Sequence, residues 1–563
     1  MNTYIVIAAV VVGLFLAFFF KEYYDAKLRE RVYLREIGEG FSSFVLKDYS
    51  SDELSRIKTL CARINDPDTV DDITASDIEF DRLFCYFNHS VSSPGSEYFY
   101  YRLRTPIYDK DEVSRLERKV SLILENEELR KKLQAEFLSV GSMKGVSFWD
   151  CLDLFSDVPV KSIVTDILPI IGIFAGIGLM FVSGPLGVFV LVASLIVNIL
   201  SHYKARGEID IYVVCLGYIV NFLNIADKLA KHHQKDGFEE TEEISKLLSK
   251  LSLFRKIARL AVNKNNNHTG TGNPLELLGD YLRMIFHIDI ISFYRSLKTL
   301  KEHKEDVGEV YMLLGKIESY VSIAALRASL PAWCVPETAE GLKGVNLYHP
   351  LIKDPVKNSI TVKDKSVLVT GSNASGKSTF LKTVLINALF AKSINTCPAD
   401  EFSMEDFAIY SSMSLRDDLF NEDSYFMVEI KALKRIMDKT AEKGGRRVLC
   451  FLDEVLRGTN TIERIAACVK ILSTLKKAGA TCFVATHDIE LTKLLTEEYD
   501  NYYFDESVTD NDINFSYLLK EGSATTKNAI KLLSLMGFSE DITKAAENMA
   551  LDFEKNGKWR VAD

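Results

Sequence analysis

The chain opens on an unbroken apolar run. Residues 1–20 contain no charged residue, and from residue 4 onwards nearly every position is aliphatic or aromatic. As a helix rising ~1.5 Å per residue, this run can span a hydrocarbon core with little tilt. No Lys or Arg precedes it, and it ends in Phe18-Phe19-Phe20-Lys21 without a small-residue cleavage site. An uncleaved anchor over residues 1–20 is therefore expected rather than a cleavable signal peptide. A second stretch, residues 167–200, is also free of charge. As one straight helix it would reach ~50 Å, well beyond a ~30 Å hydrocarbon core. Ser183-Gly184-Pro185 breaks it at its centre, so a transmembrane hairpin of two short spans is expected over residues 161–203. The alternative is a buried hydrophobic hairpin in a soluble domain.

Basic residues flank both stretches. Lys21, Lys27, Arg29, Arg31 and Arg35 follow the first, Lys161 precedes the second, and Lys204 and Arg206 follow it. The positive-inside rule places these flanks in the cytoplasm, with the N-terminus and the Gly184 turn outside. Residues 211–225 are apolar too, but Glu208 and Asp210 precede them and Asn221 and Asn224 interrupt them. They read as a buried core helix. Residues 205–330 otherwise read as long amphipathic helices, broken by the Asn/Gly-rich loop 263–272.

The pattern changes in the last ~220 residues, where short apolar runs suit the buried strands of a parallel sheet. Ser366-Val-Leu-Val-Thr370 leads into Gly371-Ser372-Asn373-Ala374-Ser375-Gly376-Lys377-Ser378-Thr379 and then a helical pattern. Strand, GxxxxGK[ST], helix is the context of a phosphate loop. Its glycines let backbone N–H groups turn around phosphate oxygens, and the helix N-terminus adds its positive end. Lys377 is expected at the β- and γ-phosphates, and the Ser378 hydroxyl on Mg²⁺. A second apolar run ends in Asp453-Glu454. Asp453 is expected in the Mg²⁺ shell and Glu454 as the group that orients or deprotonates the attacking water. A third run, residues 480–486, ends in His487, placed to sense the γ-phosphate.

These motifs resemble the MutS family. The loop TGSNASGKSTF is similar to the family's TGPNMGGKSTF, DEVLRGTN (453–460) to DExGRGTS, and ATHDIELTKL (485–494) to ATHxxELxxL. Cys397-Pro398-Ala399 resembles its xPA, residues 412–430 its signature segment, LYHPLI (347–352) its RHPxx, and residues 517–550 its helical end. A weaker resemblance links residues 78–130 to the start of the family's core domain and residues 313–337 to its lever helix. The sequence departs from the family pattern at Ser375, usually Gly or Ala, and at Tyr425, usually Thr.

The resemblance implies an α/β P-loop ATPase domain of the ABC type at the C-terminus, preceded by an all-α core and lever region with transmembrane helices. The expected boundaries are 1–20 anchor, 21–160 first part of the core, 161–203 hairpin, 204–338 core and lever, and 339–563 ATPase domain with helical tail. It also implies ATP and Mg²⁺ as cofactors. ATP would be sandwiched in a homodimer or heterodimer, with Ser424 facing the γ-phosphate bound by the partner. DNA is the ligand the family implies. Yet the family's separate N-terminal mismatch-recognition domain is expected to be absent, and the net charge of −10 offers no global field for nucleic acid. The lysines of residues 298–304 alternate with acids and read as a solvated helix face. The second reading is an ATP-driven switch acting on the membrane or an unidentified protein partner. Nine scattered cysteines without a CxxC pair read as reduced thiols. The expected location is integral to a bacterial-type inner membrane, with the ATPase domain facing the cytoplasm.

Overall fold

The computed structural model describes residues 46–557 except 144, 160–163, 263–280, 373–374, 414–424, 509–512, 524–529, 531–532 and 534–535, together with 24 and 40–43. The expected anchor 1–20, the loop 263–272, and Asn373, Ala374 and Ser424 lie outside the described residues. A helical N-terminal region is followed by a mixed α/β C-terminal region. The chain divides into two compact units: residues 1–65, 87–101 and 117–329, and residues 66–86, 102–116 and 330–563.

The first unit is helical and centres on Lys304–Ser329, a 26-residue helix buried along most of its length. Tyr311 of this helix stacks on Phe148, 3.8 Å between ring centroids. Its hydroxyl donates to Glu97 at 2.8 Å, and the indole of Trp149 donates to the same carboxyl at 2.9 Å. Burial pushes Glu97 up to about 8, against those two hydrogen bonds. Near the end of the helix, fully buried Arg327 is held by Glu117 through a forked pair at 2.8 and 2.6 Å.

One expectation is extended and another corrected in this unit. Residues 211–225 are helical and buried along one flank, and they belong to Gly184–His232, a single 49-residue helix. One flank of that stretch (Val213, Leu216, Ile219, Leu223) is buried, while Ile211 and Val214 face outwards. Asn221 is exposed and Asn224 half-buried on this helix. Asn221 donates to the Ser139 carbonyl at 3.0 Å, so polar side chains anchor the helix instead of ending it. The reading of nine free thiols also gives way, since Cys151 and Cys215 form a disulfide across 64 residues of sequence. Packing of Phe148–Asp157 beside the long helix creates this pair, which no local spacing announces. Lys301 donates to the Ser156 and Val158 carbonyls at 2.9 and 2.8 Å, satisfying the end of Phe148–Asp157.

The second unit contains two sheets. Strands β1 (Glu337–Thr338), β2 (Leu342–Leu347), β3 (Asn358–Val362) and β5 (Glu401–Met404) form a four-stranded sheet in the order β1-β5-β2-β3. Strands β4 (Ser366–Thr370), β6 (Ala408–Ser412), β7 (Val448–Asp453), β8 (Thr481–Thr486), β9 (Tyr499–Val508) and β10 (Ile513–Glu521) form the larger sheet, ordered β10-β9-β4-β8-β7-β6. Five of its strands are parallel and β10 is an antiparallel edge. Its central strands β4 and β8 are buried at every position, as strands covered on both faces must be. The order has a consequence for chemistry. The C-terminal ends of β4, β7 and β8 lie side by side, and all three expected motifs leave the sheet there.

Candidate functional site

The loop after β4 turns through two glycines with positive φ, Gly371 at +145° and Gly376 at +105°. A Cβ on Gly371 would lie 2.7 Å from Ser375 Oγ and 3.1 Å from the Phe504 carbonyl, so both backbone shape and space require glycine. The Ser375 side chain is buried and donates to the Ser372 carbonyl at 2.8 Å, closing the loop on itself. Lys377 begins the helix Lys377–Ser393 and folds back under the loop. Its Nζ donates to the carbonyls of Gly371 (2.8 Å) and Ser372 (2.7 Å) and lies 3.3 Å from His487 Nε2.

From the neighbouring strand ends come the acids. Ser378 Oγ donates to Asp453 Oδ2, while Asp453 Oδ1 is buried with no hydrogen-bond partner among the described residues. Glu454 sits in the left-handed region, φ +51°, and its N–H donates to the Ala485 carbonyl of β8 at 2.9 Å. Its carboxylate meets His487 Nε2 at 2.8 Å and Arg457 Nε at 2.5 Å. Asp488 takes a forked pair from Arg464 at 3.0 and 2.7 Å.

The electrostatics separate the two acids. Burial, with the charge of Glu454, raises Asp453 above the usual carboxylate range despite the Ser378 hydrogen bond. Glu454 is lowered: burial would raise it, but His487, Arg457 and Lys377 outweigh that effect and keep it ionised. Burial pushes Lys377 down to about 8, against the pull of Asp453 and Glu454. An ammonium held by two neutral carbonyls, beside a carboxylate oxygen with no donor, is a charge arrangement left open for a further anion and cation. Lys377, Ser378, Asp453, Glu454 and His487 are thus brought together by the fold. Thr379 follows in the first turn of the same helix.

Three features went unread in the sequence. The first is Glu429, 4% exposed, on the helix Tyr425–Ala441. It accepts the N–H of Leu456, a residue with φ +61°, and so clamps the turn that carries Glu454. The signal was there, since Glu429 closes the segment that resembles the family signature, but its target lies 27 residues on. Replacing Glu429 with Ala leaves the Leu456 N–H buried and unpaired, so thermal unfolding should show a loss of about 1–3 kcal/mol. Turnover should fall with nucleotide affinity little changed; wild-type stability and turnover together would exclude the clamp.

The second feature is Glu506 of β9, whose carboxylate accepts the Ser372 hydroxyl and tethers the loop. The third is a cavity of about 630 Å³ that opens beside Gly376, Ser378 and Thr379. Its other walls include His349, Ile352, Val356, Phe504 and Tyr517. Asn358 shapes it by donating to the Tyr517 carbonyl at 3.0 Å and accepting from the Leu519 N–H at 2.8 Å, across the register shift in β10.

Comparison with known proteins bears on the same part of the chain. Residues 367–554 match the family model of MutS domain V. The C-terminal half is MutS-like. The DNA mismatch repair protein MutS of Aquifex pyrophilus is 31% identical over 285 residues, covering 48% of this chain and 32% of that protein. The protein of the same name from Thermus thermophilus is 27% identical over 250 residues, covering 44% and 30%. That of Thermotoga petrophila is 30% identical over 279 residues, covering 47% and 34%. The chain therefore matches only about a third of the length of these relatives. The likeness is to the MutS domain V region of these DNA mismatch repair proteins.

Proposed function

We propose that this chain is a membrane-held, MutS-like ATPase that binds and hydrolyses ATP with Mg²⁺ and couples that cycle to DNA. The observation that carries the ATPase reading is the convergence of Lys377, Ser378, Asp453, Glu454 and His487 at three adjacent strand ends. The loop from Gly371 to Thr379 acts as the phosphate loop, Asn373 and Ala374 included. Lys377 exchanges its two carbonyl partners for phosphate oxygens. The cavity beside Gly376 takes the nucleoside, whose flat apolar face suits Phe504, Tyr517 and Ile352.

The buried, unpartnered Asp453 Oδ1 beside the Ser378 hydroxyl fits a hard cation. Ser378 and Asp453 would hold Mg²⁺, which neutralises charge on the phosphate oxygens when bound. Glu454 is ionised and accepts the proton of the attacking water once its grip on His487 and Arg457 loosens. His487 reports the state of the site, because it touches both the cation of Lys377 and the carboxylate of Glu454. A second copy of the chain, paired through the ATPase domain, would bring Ser424 to the partner's nucleotide.

A second reading has its own support. Gly184–His232 is one continuous helix, running from an apolar hairpin into the packed helical unit. A rigid element of that kind can carry an ATP-driven change to the membrane or to a protein partner without DNA. Three observations favour holding the chain at the inner membrane with the ATPase domain in the cytoplasm: the apolar residues 1–20, the hairpin and their basic flanks. Of the described helices, Gly184–His232 alone is long and apolar enough to cross a bilayer.

DNA binding by the full chain in detergent separates the two readings. Homoduplex, mismatched and branched DNA are compared at fixed salt, with and without ATP. Nucleotide-dependent binding is expected. A folded chain that hydrolyses ATP yet binds none of the three at low salt would leave the membrane or protein switch.

A further inference from the structure

The apolar hairpin consists of Val164–Met180 and the first part of Gly184–His232, and its two legs touch closely. A Cβ on Gly172 would lie 2.6 Å from Ser194 Oγ, and one on Gly176 would lie 2.7 Å from the Leu191 backbone N. Residue 172 therefore faces 194 and residue 176 faces 191, through a GxxxG pair of the kind that lets helices pack in lipid. Since the inner faces serve each other, the outer faces are left apolar. Leu168, Ile171 and Phe174 on one leg and Phe189, Ile196 and Leu200 on the other are exposed. No Asp, Glu, Lys or Arg occurs from residue 167 to residue 203. The occupant this surface fits is hydrocarbon.

The hairpin has a polar root. Asn198, buried on the second leg and about level with Leu168, donates to the Ile285 carbonyl at 2.8 Å. One turn further, His202 Nε2 lies 3.1 Å from Asp289 Oδ1, and Arg206 donates to Asp289 Oδ2 at 3.0 Å. From Asn198 to Gly184 is 14 residues, a rise of ~21 Å, and from His202 it is 18 residues, ~27 Å; both fall short of a ~30 Å hydrocarbon core. The turn itself is apolar: Phe181 is 89% exposed, Val182 85% and Leu186 51%. A loop emerging into water on the far side would be expected to carry polar or charged groups, and here Ser183 is the only polar side chain.

We propose that this hairpin is a wedge that enters the bilayer from one face and ends inside the hydrocarbon without crossing it. The inference rests on the membrane reading above, and it moves the Gly184 turn from the outer side into the membrane interior. The test uses the full-length Ser183→Cys variant, with Tyr203→Cys as a control near the root. Both are exposed to a large membrane-impermeant maleimide in right-side-out and inverted vesicles, and the wild-type chain supplies the background of native thiols. The Ser183→Cys variant should gain no label in either preparation and gain it on adding detergent. The Tyr203→Cys variant should be labelled in inverted vesicles. Extra label on Ser183→Cys in intact right-side-out vesicles would show a crossing hairpin and overturn the wedge while leaving membrane attachment in place. Extra label in intact inverted vesicles would show an uninserted tip and overturn it equally. Release of the chain by a carbonate wash would instead remove the membrane reading itself.

Discussion

Replacing Glu454 with Gln is expected to lower ATP turnover by ~10²–10⁴-fold, the usual contribution of a positioned general base, while ATP binding stays within a few-fold of wild type. Gln keeps the shape, and its one carbonyl oxygen can still accept from His487 or from Arg457, while the Glu454 N–H bond to Ala485 is untouched, so the turn after β7 should persist. What it cannot do is take a proton. The wild-type carboxylate is already held below its ordinary range by His487, Arg457 and Lys377, and is therefore ionised throughout the neutral range. The rate should fall away only at acidic pH, where that carboxylate protonates. Single-turnover measurements on radiolabelled ATP would separate the two steps. Wild-type turnover in Glu454→Gln would exclude it as the base and shift attention to His487, which lies 2.8 Å away.

Some of this site can be read directly from the chain because its parts are local. Strand, glycine loop and helix follow one another between residues 366 and 393, and each signals its own geometry. Asp453 and Glu454 close an apolar strand, so their position at a sheet edge follows from the pattern. Other parts depend on contacts between distant segments. Glu429 reaches Leu456, Glu506 reaches Ser372 across 134 residues, and Cys151 pairs with Cys215. Glu429 lies in a recognisable segment that does not announce its target, and the other two pairs have no periodicity or motif to mark them.

The length of Gly184–His232 was hidden for a different reason. Its character changes from apolar all round to half-buried near Lys204, and a change of environment along one helix looks like a boundary in the sequence. Residues 66–86 and 102–116 group with the C-terminal part for similar reasons. Asp77 accepts the Ser411 hydroxyl and the Met413 N–H, and the Ile107 N–H donates to the Lys392 carbonyl. Those contacts leave no trace in local composition.

Removing the Lys377 side chain is expected to abolish measurable ATP binding. The ammonium already makes two hydrogen bonds to neutral carbonyls, and phosphate oxygens would replace them with charge-assisted ones. Each such bond is worth about 1.5–3 kcal/mol, or roughly 10- to 100-fold in affinity, and two are at stake in Lys377→Ala. The pH dependence provides a second, independent check. Burial holds Lys377 at about 8 in place of its ordinary 10.5, so below about pH 8 the amine is charged and ready for an anion. Above that value the empty site must take up a proton to bind, and wild-type affinity should fall by up to ~10-fold per pH unit. The nucleotide-free protein should respond in the opposite sense. Between pH 8 and 10.5 the unfolded chain holds the lysine proton longer than the folded one, so this residue adds stability as pH rises. Titration calorimetry on wild type and Lys377→Met, which keeps the buried stem without the charge, measures the first effect, and denaturant unfolding between pH 8 and 10.5 measures the second. A variant that binds ATP like wild type would remove Lys377 from the phosphate site, and a wild-type affinity flat from pH 7 to 10 would remove its lowered pKa.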